Sequence, residues 1–520
     1  MNSIPNPQQE HRYQLEEERS IQLFLSVPAG LEDVAVRKLP TLLVETASKI
    51  SYRIGSGYLT ASFFGYAESP QVLDNDKDII TRVIEDLVQH PPLCIFAAYI
   101  SIGTIAIPRK IFDSSKNLLA YVLGGFQQPQ QQQLRPQGIL AHGSDTHNGR
   151  ASIDLGLHWH KGLAVLRRTP SSLAERLDST FCETDQDLGN LNDAPPIRFR
   201  ASFDRGDIQH KGVRSQDLAA GIGGVTGKVF SSWVVDLEDY DIEVMGRWIP
   251  EDLKEFDFKL ESLGSTLGGA RLNKGNEAPL GSRSNAAPGQ ECTSEMKMQV
   301  GITLPLALST CPYRFRPMDG RTSLKIEIAY TLLAMADPMP GNVVVDMCSG
   351  VGTIPIVGAV HYPECFFTGI EIVPYNVEKA EENSKAMVEK ANQERLKSEK
   401  TRPIFSSTVK APFLARSPSL LLGDAKAVCW RSNIVELIIS DLPWGQRENS
   451  HLYNCKLYPK FVKEIIRLLK VNGRAVLITG ERKLLQRQLD APFAKPYLRL
   501  IQKREITIGF KVMVFELQRI

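Results

Sequence analysis

Beyond residue 310 the chain breaks into short, nearly continuous apolar runs, Val343–Asp346, Cys365–Glu371, Ser419–Leu422, Val435–Ser440 and Arg474–Thr479. Each is followed by a polar or helix-length segment. A strand that is apolar on both faces needs cover on both, and helical spacers between such strands supply it. The pattern predicts an α/β domain, a parallel sheet lying between helices. Leu498–Gln502 and Lys511–Leu517, around Gly509, read as a closing antiparallel pair. Before residue 310 the patterning is α+β. Strand-like runs at Gln22–Val27, Tyr58–Phe63, Ile197–Phe203 and Ser231–Leu237 accompany helix-like stretches at Leu31–Leu43 and Ser215–Val229.

Residues 1–20 are polar and charge-rich with no apolar core segment, so they read as a disordered leader and not a secretory signal, and an intracellular compartment is expected. Two low-complexity stretches, a Gln/Pro-rich one about 127–150 and a Gly/Ser/Asn/Ala-rich one about 262–292, cannot bury enough to fold and read as flexible inserts. The second is flanked by strand-like Asp241–Met245 and Met298–Leu304, which makes it an insertion inside a hairpin and not a boundary. The expected division is an N-terminal region over 21–310 and a C-terminal domain over 311–520 that folds by itself.

Lys and Arg number 61 against 59 Asp and Glu, a net charge of +2, which excludes a uniformly basic nucleic-acid coat; any such binding must come from local patches. The longest uncharged apolar runs fall far short of the ~20 residues of a membrane helix, so no spanning segment is expected. Eight cysteines stand at least 17 residues apart with no Cys-x-x-Cys, which argues against a disulfide framework or a structural zinc, and no metal is expected. His158 and His160 flank Trp159 on a strand-like stretch without a matching pair of ligands.

The first C-terminal strand runs into Met347-Cys348-Ser349-Gly350-Val351-Gly352-Thr353-Ile354-Pro355. Glycines at 350 and 352 permit a tight turn and close approach of a ligand. The third glycine of a dinucleotide fingerprint is replaced by Pro355, which disfavours a pyrophosphate at the helix start. Glu371 closes the next strand, where a carboxylate can accept from both ribose hydroxyls, and Asp424 closes the third, where one can hold an adenine amine. Carboxylates on successive strand ends, without the third glycine, describe an adenosine that carries no phosphates. S-adenosylmethionine fits better than NAD, with Asp346, Ser349, Gly350, Gly352, Thr353, Glu371 and Asp424 as candidate cofactor-binding residues.

The fourth strand ends in Asp441-Leu442-Pro443-Trp444-Gly445. A carboxylate, a proline-fixed backbone and a flat ring make a clamp for a planar amine, in which the ring stacks on the base while the carboxylate and a backbone carbonyl accept its N–H protons. An exocyclic amine conjugated to a ring is a poor nucleophile, and two acceptors favour its pyramidal, attacking form. Asp441, Pro443 and Trp444 are the candidate catalytic residues. The motif alone does not separate adenine, guanine, cytosine and glutamine amines. Upstream, Arg198, Arg200, Arg205, Lys211, Arg214 and Lys228 crowd into about 30 residues, enough for a phosphate-binding surface, although acids at 204, 207 and 217 dilute it and leave a solvated charged face as the alternative.

These residues resemble the THUMP-domain-containing guanine-N2 methyltransferases that modify tRNA. The likeness is carried by Phe24 to Glu32, by Phe199 to Gly206 with Gly227-Lys228-Val229 and Val235 to Val244, and by Asp346 to Pro355, Ser440 to Gly445, Asn454–Pro459 and Gly473 to Leu477. It implies a Rossmann-like class I methyltransferase sheet preceded by a ferredoxin-like plus THUMP RNA-binding region that recognises the shape of a tRNA end, in the cytoplasm with the nucleus as a second compartment. The last two of these motifs, with Ile508-Gly509, favour the branch acting on the tRNA acceptor stem over the sister that methylates a small nuclear RNA. A catalytically silent RNA-binding homologue is the alternative of another class. Met347, Val357, Glu371 and Lys325 depart from the residues usual at their positions. The resemblance also implies a partner, the small zinc-containing activator subunit of eukaryotic members, paired along the third strand. Ser419–Leu422 is expected at the sheet edge without an internal Lys or Pro to protect it, unless Lys410–Pro418 folds over it.

Overall fold

The computed structural model describes residues 21–63, 73–113, 118, 196–206, 208, 212–249, 255–258, 295–306, 314–320, 322–400, 414–445 and 450–520. The leader, the inserts about 127–150 and 262–292, His158, His160 and Lys211 lie outside these residues. The chain divides into two compact units, and their boundary is not a single cut. Segments Ser26–Leu39 and Gln89–Phe96 belong with Leu306–Ile520, and the remainder forms the N-terminal unit.

The N-terminal unit is built on nine strands, β1 (Ile21–Ser26), β2 (Lys49–Arg53), β3 (Tyr58–Phe63), β4 (Ala97–Pro108), β5 (Arg198–Asp204), β6 (Val234–Val235), β7 (Ile242–Ile249), β8 (Glu255–Phe258) and β9 (Glu295–Thr303). They join in the order β6-β5-β7-β9-β4-β1-β3-β2-β8. β7 and β9 are antiparallel neighbours with Val244 opposite Ile302. The expected hairpin around the long insert is therefore present, but its connection also contributes β8, which pairs with β2 on the far edge. The helix Ser215–Val229 matches its expected limits. Ser231–Leu237 contracts to the two residues of β6. Arg247 is wholly buried, its guanidinium 3.9 Å from the Tyr58 ring centre and donating to Gln299 Oε1 at 2.7 and 3.0 Å. Burial pulls Arg247 down to about 10, still protonated at neutral pH, and Asp204, bonded to Tyr58 OH at 2.5 Å, supplies the compensating charge.

The C-terminal unit contains α1 (Glu32–Ala35), α2 (Ile326–Ala336), α3 (Thr353–His361), α4 (Pro374–Lys400), α5 (His451–Leu468) and α6 (Arg482–Leu489) around β10 (Val343–Asp346), β11 (Phe366–Glu371), β12 (Ser419–Leu422), β13 (Val435–Asp441), β14 (Leu469–Thr479), β15 (Leu498–Thr507) and β16 (Lys511–Arg519). The strand order is β12-β11-β10-β13-β14-β16-β15, parallel from β12 through β14, with β16 antiparallel to both β14 and β15. Alternate strand residues feed two cores. Val344, Leu437, Ile439 and Val476 pack with α2 and α3, while Val345, Ile438, Ala475 and Leu477 pack with α5 and α6. This two-sided burial is the reason the strands read as continuous apolar runs. β12 lies at the edge, as expected, with Leu421 and Leu422 exposed. Segment 414–418 does not extend the sheet: Asn392 of α4 accepts Ala415 N–H at 2.8 Å and donates to its carbonyl at 3.0 Å.

One expectation is corrected here. The helix read over Leu31–Leu43 is broken into α1, a 3-10 turn at Val36–Lys38 and a helix at Thr41–Thr46, because Leu39 before Pro40 is extended. The core of the C-terminal unit also reaches beyond 311–520, since Leu31, Val34 and Leu93 pack in the same core as α2 and β13. Ala29 bridges Thr507, Arg504 grips the Asp33 carboxylate with both terminal nitrogens, and a Cβ at Gly30 would lie 2.3 Å from Glu505 O. Arg314 Nη2 caps the carbonyls of Pro92 and Ile95 at 2.7 and 2.6 Å. A fragment spanning 311–520 is accordingly expected to bind hydrophobic dye and aggregate. Leu31→Ala in the full chain should lower the stability of this unit by about 2–5 kcal/mol in denaturant titrations, and an unchanged midpoint would show that the segment is only draped on the surface.

Candidate functional site

The carboxyl ends of β10, β11, β12 and β13 open into one cavity of about 770 Å³. It lies where the strand order turns back from β10, the position at which open α/β sheets bind ligands. Asp346, Ser349, Gly350, Thr353, Glu371, Asp424, Asp441, Pro443 and Trp444 all line it. Gly352 stands just behind as the N-cap of α3. The glycine turn has the conformation its residues predict: Gly350 and Gly352 have φ of +52° and +83°. A Cβ on Gly352 would sit 2.8 Å from Ile356, and one on Gly369 2.7 Å from Ser349 Cβ. Only glycine lets these segments approach so closely.

The carboxylates differ in their surroundings. Both oxygens of Glu371 accept backbone N–H groups, from Gly350 at 2.8 Å and Val373 at 2.9 Å. A carboxylate has about four acceptor positions, so two ribose hydroxyls can still be served. Asp424 is part-exposed, with Oδ1 on Lys426 N–H at 2.9 Å and Oδ2 3.1 Å from its ammonium. Asp346 is buried, and burial pushes it up to about 7 despite hydrogen bonds with Cys348 N–H and Ser440, with the like charge of Glu371 adding to the rise. A buried acid poised to ionise fits a cationic ligand, whose charge would draw off the proton.

At the end of β13 the clamp residues are held together. Trp444 Nε1 donates to Asp441 Oδ1 at 2.9 Å, and its ring meets Phe510 edge-on with centroids 5.2 Å apart. Gly480 makes room for it, since a Cβ there would lie 3.3 Å from Trp444 Cβ. The Pro443 carbonyl accepts Asn454 Nδ2 at 2.9 Å and Tyr458 OH at 2.8 Å. Both its lone pairs are engaged within the protein, which fixes the loop that carries Pro443. Gly445, at φ +72°, packs where a Cβ would be 2.6 Å from Glu481 Oε1, and that carboxylate in turn binds His451 Nδ1 at 2.8 Å.

Several supporting residues carry no spacing signal in the sequence. Arg316 Nη1 donates to Thr353 Oγ1 at 2.7 Å, and buried Asn383 ties Val351 O to the Met318 backbone. Val357 is buried in the apolar core. In the N-terminal unit the expected RNA-contacting arginines are largely paired: Arg198 with Asp239 and Asp241, Arg200 with Glu243, Arg214 with Asp217. Arg205 donates to Val213 O, and Lys228 is exposed.

Residues 314–496 match the family described as RMKL-like, methyltransferase domain. That segment is a methyltransferase domain. The chain is 25% identical over 335 residues to the human tRNA (guanine(6)-N(2))-methyltransferase THUMP3, covering 64% of this chain and 54% of that protein. Over 170 residues it is 25% identical to the bovine U6 snRNA (guanine-N(2))-methyltransferase THUMPD2, covering 33% of this chain and 28% of that one. It spans about half the length of its THUMP3 relatives. Among solved structures, TrmN from Thermus thermophilus superposes with a TM-score of 0.50 at 15% identity over 96% of this chain and 100% of its own, a likeness of fold.

The residues lining the cavity suit S-adenosylmethionine, whose adenosine has no phosphates and whose sulfonium and amino groups are cationic. Because folding raises Asp346 from 3.8 to about 7, the folded protein holds this proton more tightly than the unfolded chain across that interval. Its stabilising contribution is present at low pH and lost as pH rises through 7. Asp346→Asn is expected to stabilise the ligand-free protein at pH 8 by up to roughly 4 kcal/mol while weakening donor binding. In the native chain, donor affinity should fall as pH drops below about 7. Calorimetry and thermal melts across pH 5.5–8.5 check both, and a flat affinity profile would remove Asp346 from the site.

Proposed function

We propose that this protein is a tRNA guanine-N2 methyltransferase acting on a guanosine of the acceptor-stem region, with the N-terminal unit as its ferredoxin-like plus THUMP RNA-binding part. The observation that carries this reading is the Asp441–Trp444 pair at the mouth of the donor cavity. Similarity to proteins named guanine-N2 methyltransferases selects guanine among the amines such a clamp can take. The cytoplasm is the proposed compartment, with the nucleus second.

In this reading the extruded base lies against Trp444, whose ring is held edge-on by Phe510. Asp441 accepts one amine proton, and the Leu442 carbonyl accepts the other, because Pro443 O is occupied by Asn454 and Tyr458. When bound, S-adenosylmethionine supplies an electrophilic methyl group on sulfur. Asp441 turns the amine lone pair toward that methyl and takes up the proton released as the C–N bond forms and the S–C bond breaks, its electron pair remaining on the sulfur of the departing thioether, so the gain is orientation together with stabilisation of developing positive charge. The bovine relative that acts on U6 snRNA supports small nuclear RNA as the second reading.

Incubation of the full chain with labelled S-adenosylmethionine and tRNA, followed by digestion to nucleosides, should yield N2-methylguanosine; methylation confined to adenine or protein would defeat the proposal. Asp441→Ala is expected to abolish most turnover with donor affinity nearly intact. Trp444→Ala should lose stacking worth about 1–3 kcal/mol.

The proposed partner is a small zinc-containing activator subunit pairing along β12, whose open edge carries exposed Leu421 and Leu422. Co-expression should raise solubility and activity, and Leu421→Lys should weaken the complex more than donor binding. A monodisperse, fully active lone chain would show that no subunit is needed.

A further inference from the structure

A second concavity in the C-terminal unit, of about 830 Å³, is lined by Arg482, Lys483 and Arg487 of α6 and by Lys503 of β15, with Asp490 as its acid. Asp490 is engaged by Gln486 Nε2 at 3.2 Å, and Arg482 pairs with Glu505 at 3.0 Å. Lys483, Arg487 and Lys503 are exposed and form no ion pair among the described residues. Lys483 and Arg487 stand four residues apart on one helix face, where like charges cost stability unless a ligand neutralises them. The arginines at 198, 200 and 214, by contrast, already have acid partners.

The place of this cluster in the fold gives it meaning. Gly480, whose Cβ position is 3.3 Å from Trp444, precedes Arg482 by two residues, so α6 starts within about 7 Å of chain from the clamp and runs some 12 Å away from it. On the other wall, Phe510 touches Trp444 and leads through Lys511 into the pair of β15 and β16. Both walls thus begin at the ring that would stack on the target base.

We infer that α6 and β15 form a phosphate-binding track that holds the RNA sugar–phosphate backbone beside the flipped nucleotide. The inference rests on the RNA reading above. A base drawn from a helix into the Trp444 clamp leaves its flanking phosphates at the rim, and the cations there would hold that distorted backbone. The catalytic unit would then contribute affinity of its own, sequence-independent and salt-sensitive.

The test is titration of the full chain with an in vitro transcribed tRNA across a salt series. Lys483→Ala/Arg487→Ala is compared with Arg416→Ala/Arg431→Ala, which removes the same charge from exposed sites elsewhere on the unit. Two lost phosphate contacts should weaken binding roughly tenfold near 0.1 M salt and flatten the slope of log K against log salt by about 1.4–1.8, with donor affinity unchanged and the control pair near native. An unchanged slope in the α6 variant, or an equal loss in the control, overturns the track. If the native chain methylates tRNA and the α6 variant matches it, the track alone falls; if the native chain neither binds nor methylates RNA, the RNA reading falls and the track with it.

Discussion

The donor cavity depends on the carboxylate of Glu371. By accepting Gly350 N–H and Val373 N–H, it joins the turn after β10 to the end of β11 and fixes both mouths of the crevice at once. The two strands bring it within reach because they pair in register, Asp346 opposite Gly369, two residues before Glu371. Gly369 allows Ser349 to close over the strand, and Asn383 holds the turn from behind through the Val351 carbonyl. Close to this carboxylate, Asp346 is buried and reluctant to ionise. The cavity therefore places two carboxyl groups of unlike surroundings where an adenosine with a cationic tail can satisfy both.

The target-base side is built differently. There the backbone carries few charges, and rigidity comes from partners brought by other elements. Tyr458 OH binds both the Pro443 carbonyl and Thr479 Oγ1, the latter at 2.7 Å, which fastens the loop after β13 to α5 and β14 together. Phe510, from the turn between the last two strands, sets the tilt of Trp444. A ring held in this way has little rotamer freedom left to lose when a flat ligand stacks on it, which favours binding.

How much of this was legible in the sequence varied with the physical origin of each feature. β10 and β12 fall within their expected limits because two-sided burial makes strands of a covered parallel sheet visible as apolar runs. The carboxylates 346, 371, 424 and 441 were readable for the same reason, since they stand where those runs stop. β4, twelve residues in the middle of the other sheet, was missed; Gly103 interrupts its alternation at a shift in register with β9. β8 is short and lies at the sheet edge, and its neighbour β2 is only five residues long, leaving little pattern to detect. Arg316, Asn383 and Phe510 reach the site through folding alone, and no local spacing announces them. The engagement of Pro443 O by two donors likewise depends on where α5 lies against the loop, which the motif itself does not encode.

The grip of Arg504 on Asp33 spans 471 residues of chain. The core behind the cavity therefore joins Leu31 and Val34 to Ile506, Val512 and Val514 of β15 and β16. Contacts so far apart in sequence carry the largest loop-closure cost and form late in folding. The glycine turn and the clamp can thus take shape locally before the packing that supports them is complete.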